Sequence, residues 1–306
     1  MDICDNNYSK ALDKYYNAFE FNDSPFPRDI YHVVLLNIYL NNYKDALKFG
    51  SNLIKLGATI KFFNQYPLNN LKKDTLAWNE FLKNYKILRR NYYDKINFDL
   101  QNHVTKLNMM DQKNYCNRDP ISGQIGQFFA QDSTFEECYE FIKKYGYPYH
   151  NLTGINIKND TIIVASPINV IIKHYFQENY RDLDGFSALL LNEVYKGKLQ
   201  PVYFMSWDEF RFEPYPHYGT MLMYKTKNGY YIENPEMNKQ KIAMFNKNRK
   251  EIFMCSYEES IRKIIFMEKN KNLKFIFLKT GMIDLENDFP PYLKLKQYKK
   301  ININDY

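Results

Sequence analysis

The chain has 306 residues, of which 45% are hydrophobic and 25% charged, and its formal net charge is +7. These proportions are ordinary for a globular protein and exclude a largely disordered chain. No apolar run approaches the ~20 residues of a membrane-spanning helix, so we expect no membrane span. The N-terminus lacks the apolar core of a signal peptide. As it stands the sequence predicts a cytoplasmic protein, but an exported protein with its signal peptide removed would look the same.

The basic charge does not indicate a nucleic-acid-binding protein. Lysine supplies most of it, among acidic residues on helix faces, and the arginines that nucleic-acid interfaces favour are scattered. The histidines, cysteines and carboxylates show none of the short spacings typical of metal ligands, such as His-x-x-x-His. We therefore expect no nucleic-acid partner, no metal site and no cofactor.

Apolar residues recur at helical spacing in three consecutive segments, 8–21, 29–40 and 44–56. Turn-forming residues at 22–27 and 41–42 separate these segments. The pattern predicts three antiparallel helices packed together, and a further helix is predicted at 76–92.

Two of these segments open in the same way. Tyr8 and Tyr43 are each followed, three positions later, by Ala-Leu, and the distance between them is close to a repeat period of roughly 34 residues. This pattern resembles the tetratricopeptide repeat. The resemblance implies helical hairpins in a first domain, which we place at 1–94.

From about residue 95 the pattern becomes mixed and predicts a second domain, 95–306, of α+β type. Long apolar-periodic segments predict helices at 96–116, after Ser166-Pro167, and at 186–195. Ser-x-x-Glu capping boxes at Ser133 and Ser256 predict two further helix starts.

Two segments of the second domain have strand patterns. Asn228-Gly229 separates 218–224 from 230–233, which predicts an antiparallel hairpin. Residues 273–278 have the alternating side-chain pattern of a β-strand, which predicts a strand there. The whole chain is therefore predicted to be α+β and mostly helical, with a small antiparallel sheet.

Short polar landmarks follow one another between about residues 107 and 265. They are Asp111-Gln112, Lys143-Lys144-Tyr145-Gly146-Tyr147-Pro148, Lys173-His174, Tyr195-Lys196-Gly197, Asp208 with Arg211, His217-Tyr218-Gly219-Thr220, and Asn248-Arg249 leading into Ser256–Ile261. In this order they resemble an uncharacterised bacterial domain family with the landmarks D-Q-x-x-R, K-Y-G-W-P, Q-H, D-R and Y-G-T-Q. The resemblance implies a site but no particular reaction. Where that family has Arg, Gln and Gln, this chain has Tyr115, Lys173 and Met221, so a catalytic family would have an altered or inactive member here.

The candidate catalytic residues are His174 and Asp208. His174 follows an apolar run, and an imidazole there could act as a general base that Asp208 orients. The alternative is a hydrogen-bonded histidine of the core. Arg211 could bind a carboxylate or phosphate, or it could form a surface ion pair with Asp208.

The remaining candidates are ligand contacts: Tyr218, Thr220, Asp111 and Gln112. We expect His174 and Arg211 to face a common depression that also receives Asp111 or Tyr218, because polar groups beside apolar runs need partners.

Two classes of function follow. We favour a non-enzymatic binding or interaction protein, with a protein or peptide partner or a small anionic ligand, because helical hairpins and abundant aromatic side chains suit such contacts. The alternative is a small hydrolase or transferase that uses His174 as a general base with Asp208 and Arg211.

Overall fold

The computed structural model describes residues 1–116, 128–158, 161–163, 166–178, 185–209, 217–219, 223–233, 238–277, 282–284 and 298–303. By its internal contacts the chain divides into two compact units. The first contains Met1–Ile171 with Leu273–Ile276, and the second contains Ile172–Asn272 with Phe277–Tyr306. The predicted domains 1–94 and 95–306 stay a prediction.

The first unit is mainly helical. Its helices are α1 (Tyr8–Glu20), α2 (Pro27–Tyr39), α3 (Tyr43–Lys55), α4 (Ile60–Phe63), α5 (Thr75–Lys95), α6 (Phe98–Cys116), α7 (Phe128–Tyr145) and α8 (His150–Thr153). A 3₁₀ helix covers Leu68–Lys73, and a short antiparallel ribbon joins β1 (Asn156–Lys158) to β2 (Thr161–Ile163). The next helix, α9 (Ile168–Glu178), crosses the division at Ile171.

Helix α2 is the centre of the first unit. It packs against both α1 and α3, and its apolar residues from Ile30 to Ile38 are buried on every side. A helix with apolar residues all round must be enclosed by neighbours. The predicted packing of three N-terminal helices is therefore confirmed, with boundaries within two residues of those expected.

The predicted strand at 273–278 is wrong over its described residues. A 3₁₀ helix covers Lys271–Leu273, and residues 274–277 form no strand. Side chains of α2 form hydrogen bonds with backbone groups that a neighbouring strand would otherwise bind. The Tyr39 hydroxyl donates to the Leu273 carbonyl at 2.5 Å, and the Ile276 N–H donates to Nε2 of His32 at 3.0 Å.

The second unit combines helices with a small sheet. Its helices after α9 are α10 (Phe186–Tyr195), α11 (Pro201–Asp208), α12 (Lys239–Glu251) and α13 (Tyr257–Lys269). Its strands are β3 (Met223–Thr226), β4 (Gly229–Glu233), β5 (Met282–Asp284) and β6 (Tyr298–Ile301), in the order β5-β3-β4-β6. β3, β4 and β6 are antiparallel, whereas β5 pairs parallel with β3. The predicted class, mostly helical α+β with a small antiparallel sheet, is confirmed.

The predicted hairpin forms β3 and β4. Tyr224 pairs with Tyr231, and Thr226 pairs with Gly229 across the turn. Gly229 has a φ of +128°, a conformation that a side chain would strain. The first strand is described from Met223, and Tyr218 and Gly219 precede it in irregular backbone.

The apolar face of this sheet packs on the last two helices. Met223, Ile232 and Ile301 from the strands form one buried cluster with Phe245 of α12 and Ile261 of α13. The contacts in this cluster hold α12 against the apolar face of the sheet. The position of α12 in turn places Asn248 and Arg249 of that helix.

The two predicted capping boxes have different outcomes. At Ser256 the hydroxyl accepts from the Glu259 N–H at 3.1 Å, and the Glu259 carboxylate accepts from the Ser256 N–H at 3.0 Å, which confirms the start of α13. At Ser133 the prediction is wrong, because α7 already begins at Phe128. A capping serine must leave the helical conformation, and the backbone of residues 128–132 is helical.

In the part of the chain that the structure describes, no helix combines the length and the apolar character needed to cross a membrane.

Candidate functional site

Two predicted site residues, Asp208 and Tyr218, meet in the second unit. Asp208 is the last residue of α11, and its carboxylate accepts hydrogen bonds from the Ser187 hydroxyl at 2.6 Å and the Tyr218 hydroxyl at 3.1 Å. All three side chains are buried. Ser187 lies in the first turn of α10, which packs against α11. The carboxylate thus ties the ends of two helices to the segment that follows them.

The neighbouring carboxylate, Glu209, holds the backbone of residues 217–219. Oε2 accepts from the N–H groups of His217 at 3.2 Å and Tyr218 at 2.7 Å, and Oε1 accepts from the Gly219 N–H at 3.0 Å. Successive N–H groups converge in this way when the backbone forms a concave anion-binding turn. Here the bound anion is a side chain of the same chain.

Arg249 holds the opposite side of the same turn. Its Nε donates to the Tyr218 carbonyl at 2.7 Å, and Nη2 donates to the Gly219 carbonyl at 3.0 Å. Nη1 donates to the Ser260 hydroxyl at 2.7 Å and to the Cys255 carbonyl at 3.2 Å. The guanidinium is fully buried, and burial lowers its pKa, an effect that nearby Cys255 and Glu209 oppose.

We call these residues the 217–219 clamp: a buried carboxylate binds the N–H groups of the turn, and a buried guanidinium binds its carbonyls. Asn248 adds a hydrogen bond to the His217 carbonyl at 2.8 Å. Two buried opposite charges are tolerated when hydrogen bonds compensate for the loss of water, and here the backbone groups of the turn supply those hydrogen bonds. The chemistry of the clamp is that of a structural anchor.

Of the other predicted site residues, His174, Asp111 and Gln112 are described, whereas Arg211 and Thr220 are not. His174 is buried on α9, in the second unit. Asp111 is buried on α6, in the first unit, and accepts a hydrogen bond from Gln112 at 2.9 Å. Arg211 and Thr220 lie outside the described residues, as does Met221. The site roles assigned to all of these residues stay predictions.

Asp111 also faces a cysteine of the neighbouring helix. Burial, and secondarily the Asp111 carboxylate, raise the pKa of the Cys138 thiol on α7. Helices α6 and α7 pack together, so both side chains lie in their contact. Within the described ranges, His, Cys, Asp and Glu side chains form no group of three that could hold a metal ion.

A pocket of about 300 Å³ opens in the first unit, at one end of its N-terminal helices. Its lining comes from α1, α2, α3, α5, α8 and the connection between α1 and α2. The lining residues are Phe19, Asp23, Ser24, Pro25, Ile30, Asn52, Lys55, Leu56, Lys95 and Asn151. We call this the Lys55 pocket.

The Lys55 pocket has an apolar part and a charged part. Phe19, Ile30 and Leu56 contribute apolar surface. The ammonium groups of Lys55 and Lys95 make no hydrogen bond or ion pair with any residue that the structure describes. Lys55 is half-buried, at the C-terminal end of α3, and Lys95 is exposed, at the end of α5.

The polar side chains of the Lys55 pocket are partly fixed. Asn151 donates a hydrogen bond to the Ser24 hydroxyl, which ties α8 to the α1–α2 connection. The preceding residue, His150, is buried beside the Phe26 ring, and its Nε2 has no hydrogen-bond partner among the described residues. Burial lowers the pKa of His150 to about 4, an effect that the Pro25 backbone opposes.

The sequence reasoning missed both Glu209 and the Lys55 pocket. Glu209 sits directly after the predicted Asp208, and its signal was the acidic pair ahead of the Gly219 turn. The pocket carries no such signal. Its lysines and asparagines are the commonest polar residues of the chain, and five helices bring them together.

Comparisons of the chain with protein-family models, with curated proteins and with solved structures found no match. The resemblance of 107–265 to a bacterial family and that of the N-terminal helices to tetratricopeptide repeats stay predictions.

Proposed function

We propose that this chain is a binding protein without a catalytic step, and that the Lys55 pocket in its first unit holds a small ligand. The observation that carries the proposal is the pair Lys55 and Lys95: two ammonium groups line one concavity, and neither has a partner among the described residues. Pockets for small ligands combine an apolar surface with a few polar groups, and they begin at about 300 Å³. The Lys55 pocket has this size and this mixture.

The structure offers less support for the alternative, a hydrolase or transferase. Asp208, the predicted orienting carboxylate, accepts hydrogen bonds from Ser187 and Tyr218, which are both buried. Its neighbour Glu209 is engaged by three backbone N–H groups. Carboxylates used in this way hold the fold together, whereas a catalytic pair needs a cleft that a substrate can enter.

A screen by nuclear magnetic resonance tests the proposal. The ¹⁵N-labelled full chain is mixed in turn with small organic acids, amines, neutral sugars and nucleotides. We expect at least one class to shift the amide signals of Asn52, Lys55 and Asn151 together, because these residues line the pocket from two helices, α3 and α8.

The matched control replaces a lysine of the same helix that does not line the pocket. Lys55→Gln should abolish the shifts, while Lys48→Gln, at an exposed position of α3, should leave them in place. If no class of molecule shifts the pocket signals, the proposed function is wrong.

A further inference from the structure

We infer that the ligand of the Lys55 pocket is a small monocarboxylate with an apolar body; this inference rests on the proposed function. It adds the chemical class of the ligand, argued from the charge, the surface and the volume of the pocket.

The charge of the pocket matches a single negative charge. Lys55 and Lys95 contribute two ammonium groups, and Asp23 contributes one carboxylate, so one positive charge remains. A dianion such as phosphate would meet the Asp23 carboxylate with its second charge, and like charges at close range repel. A carboxylate instead satisfies the net charge and can accept from both lysines.

The apolar surface of the pocket favours a ligand with a hydrocarbon part attached to that carboxylate. Phe19, Pro25, Ile30 and Leu56 supply the apolar surface of the lining. Burying apolar ligand surface against it favours binding. A bare inorganic anion would leave this surface without a partner.

The volume limits the size of the ligand. A cavity of about 300 Å³ holds the equivalent of about ten water molecules, at ~30 Å³ for each. A chain of six carbons with one carboxylate fits this limit.

Isothermal titration calorimetry of the full chain tests the inference with three probes under one buffer condition: hexanoate, hexan-1-ol and inorganic phosphate. Hexanoate should bind about tenfold more tightly than either other probe, because it alone offers both the charge and the apolar chain. Lys55→Gln should weaken hexanoate binding about tenfold, Lys55→Arg should retain most of it, and Lys48→Gln should leave it unchanged.

Each failure has its own signature. Phosphate binding as tightly as hexanoate would show a general anion site, and hexan-1-ol binding as tightly would show an apolar site. Either result overturns the monocarboxylate inference and leaves the proposed binding function standing. Hexanoate binding that survives Lys55→Gln also overturns the inference, because the carboxylate would then lie elsewhere.

Discussion

Gly219 is the residue on which the 217–219 clamp depends. Its φ is +65°, and an added Cβ would lie 2.5 Å from the ring of Phe245, a buried residue of α12. An alanine at this position would destabilise the fold in two ways. Its backbone would be held in the left-handed region, and its Cβ would collide with the Phe245 ring. We expect Gly219→Ala to lower the free energy of unfolding by about 2–5 kcal/mol, measured by chemical denaturation.

Gly197 provides the matched control for this substitution. Its φ is +68°, nearly the same, but nothing lies within 4 Å of an added Cβ. Gly197→Ala should therefore cost only the backbone term, about 1–2 kcal/mol. If both substitutions lower the free energy of unfolding equally, the contact with Phe245 is not the reason that position 219 requires glycine.

His150 should make the stability of the protein depend on pH. Its pKa is about 4 in the folded protein, below the ~6.5 of an unfolded chain, so between these values the unfolded state binds a proton that the folded state does not. The contribution is complete above pH ~6.5 and is lost as the pH falls towards 4. The loss amounts to about 3 kcal/mol, from 1.36 kcal/mol per pH unit.

Denaturation curves between pH 4 and pH 7 measure this effect. His150→Gln should flatten the slope across that interval, because the titrating group is gone. An unchanged slope in His150→Gln would contradict the assignment to His150.

At the scale of elements, a helix start depends on the backbone before the cap as well as on the cap itself. Ser256 caps α13 through two reciprocal hydrogen bonds, and the chain before it leaves the helical conformation. Ser133 has the same Ser-x-x-Glu spacing but lies inside α7. We expect Ser256→Ala to lower the free energy of unfolding by about 1 kcal/mol.

The same substitution at Ser133 supplies the comparison. Alanine is the better helix former within a helix, so Ser133→Ala should be neutral or slightly stabilising. Thermal denaturation of the two variants checks both expectations. A loss at Ser133 equal to that at Ser256 would contradict the assignment of α7.

These two serines show how far the sequence predicts the elements. Local sequence signals predict the structure correctly where neighbouring residues favour the same conformation. Helix-breaking residues separate the three N-terminal helices, and Gly229 supplies the positive φ of the hairpin. Local signals fail where distant side chains decide. Residues 274–277 have the alternation of a strand, yet His32, far away in the sequence, takes the Ile276 N–H and Tyr39 takes the Leu273 carbonyl.

At the scale of the whole molecule, the candidate site could be predicted only in part. The sequence indicated Asp208 and Tyr218 separately, as polar residues among apolar ones that need partners when buried, but it did not predict that they contact each other. The Lys55 pocket does not follow from the sequence. Lysine gives the chain most of its formal charge of +7, and only packing shows which lysines share a concavity.

The composition also affects how binding should be measured. A chain with a net charge of +7 attracts anions to its whole surface, and such attraction weakens with salt. Contacts inside a pocket are screened less, so ligand titrations at about 0.15 M ionic strength separate the two contributions.

The central claim, that the Lys55 pocket binds a small monocarboxylate, is tested most directly by a crystal structure of the full chain grown with hexanoate. The account predicts electron density with the carboxylate beside Lys55 and Lys95 and the hydrocarbon chain against Phe19 and Ile30. A pocket that stays empty, or hexanoate bound only elsewhere on the chain, would contradict it.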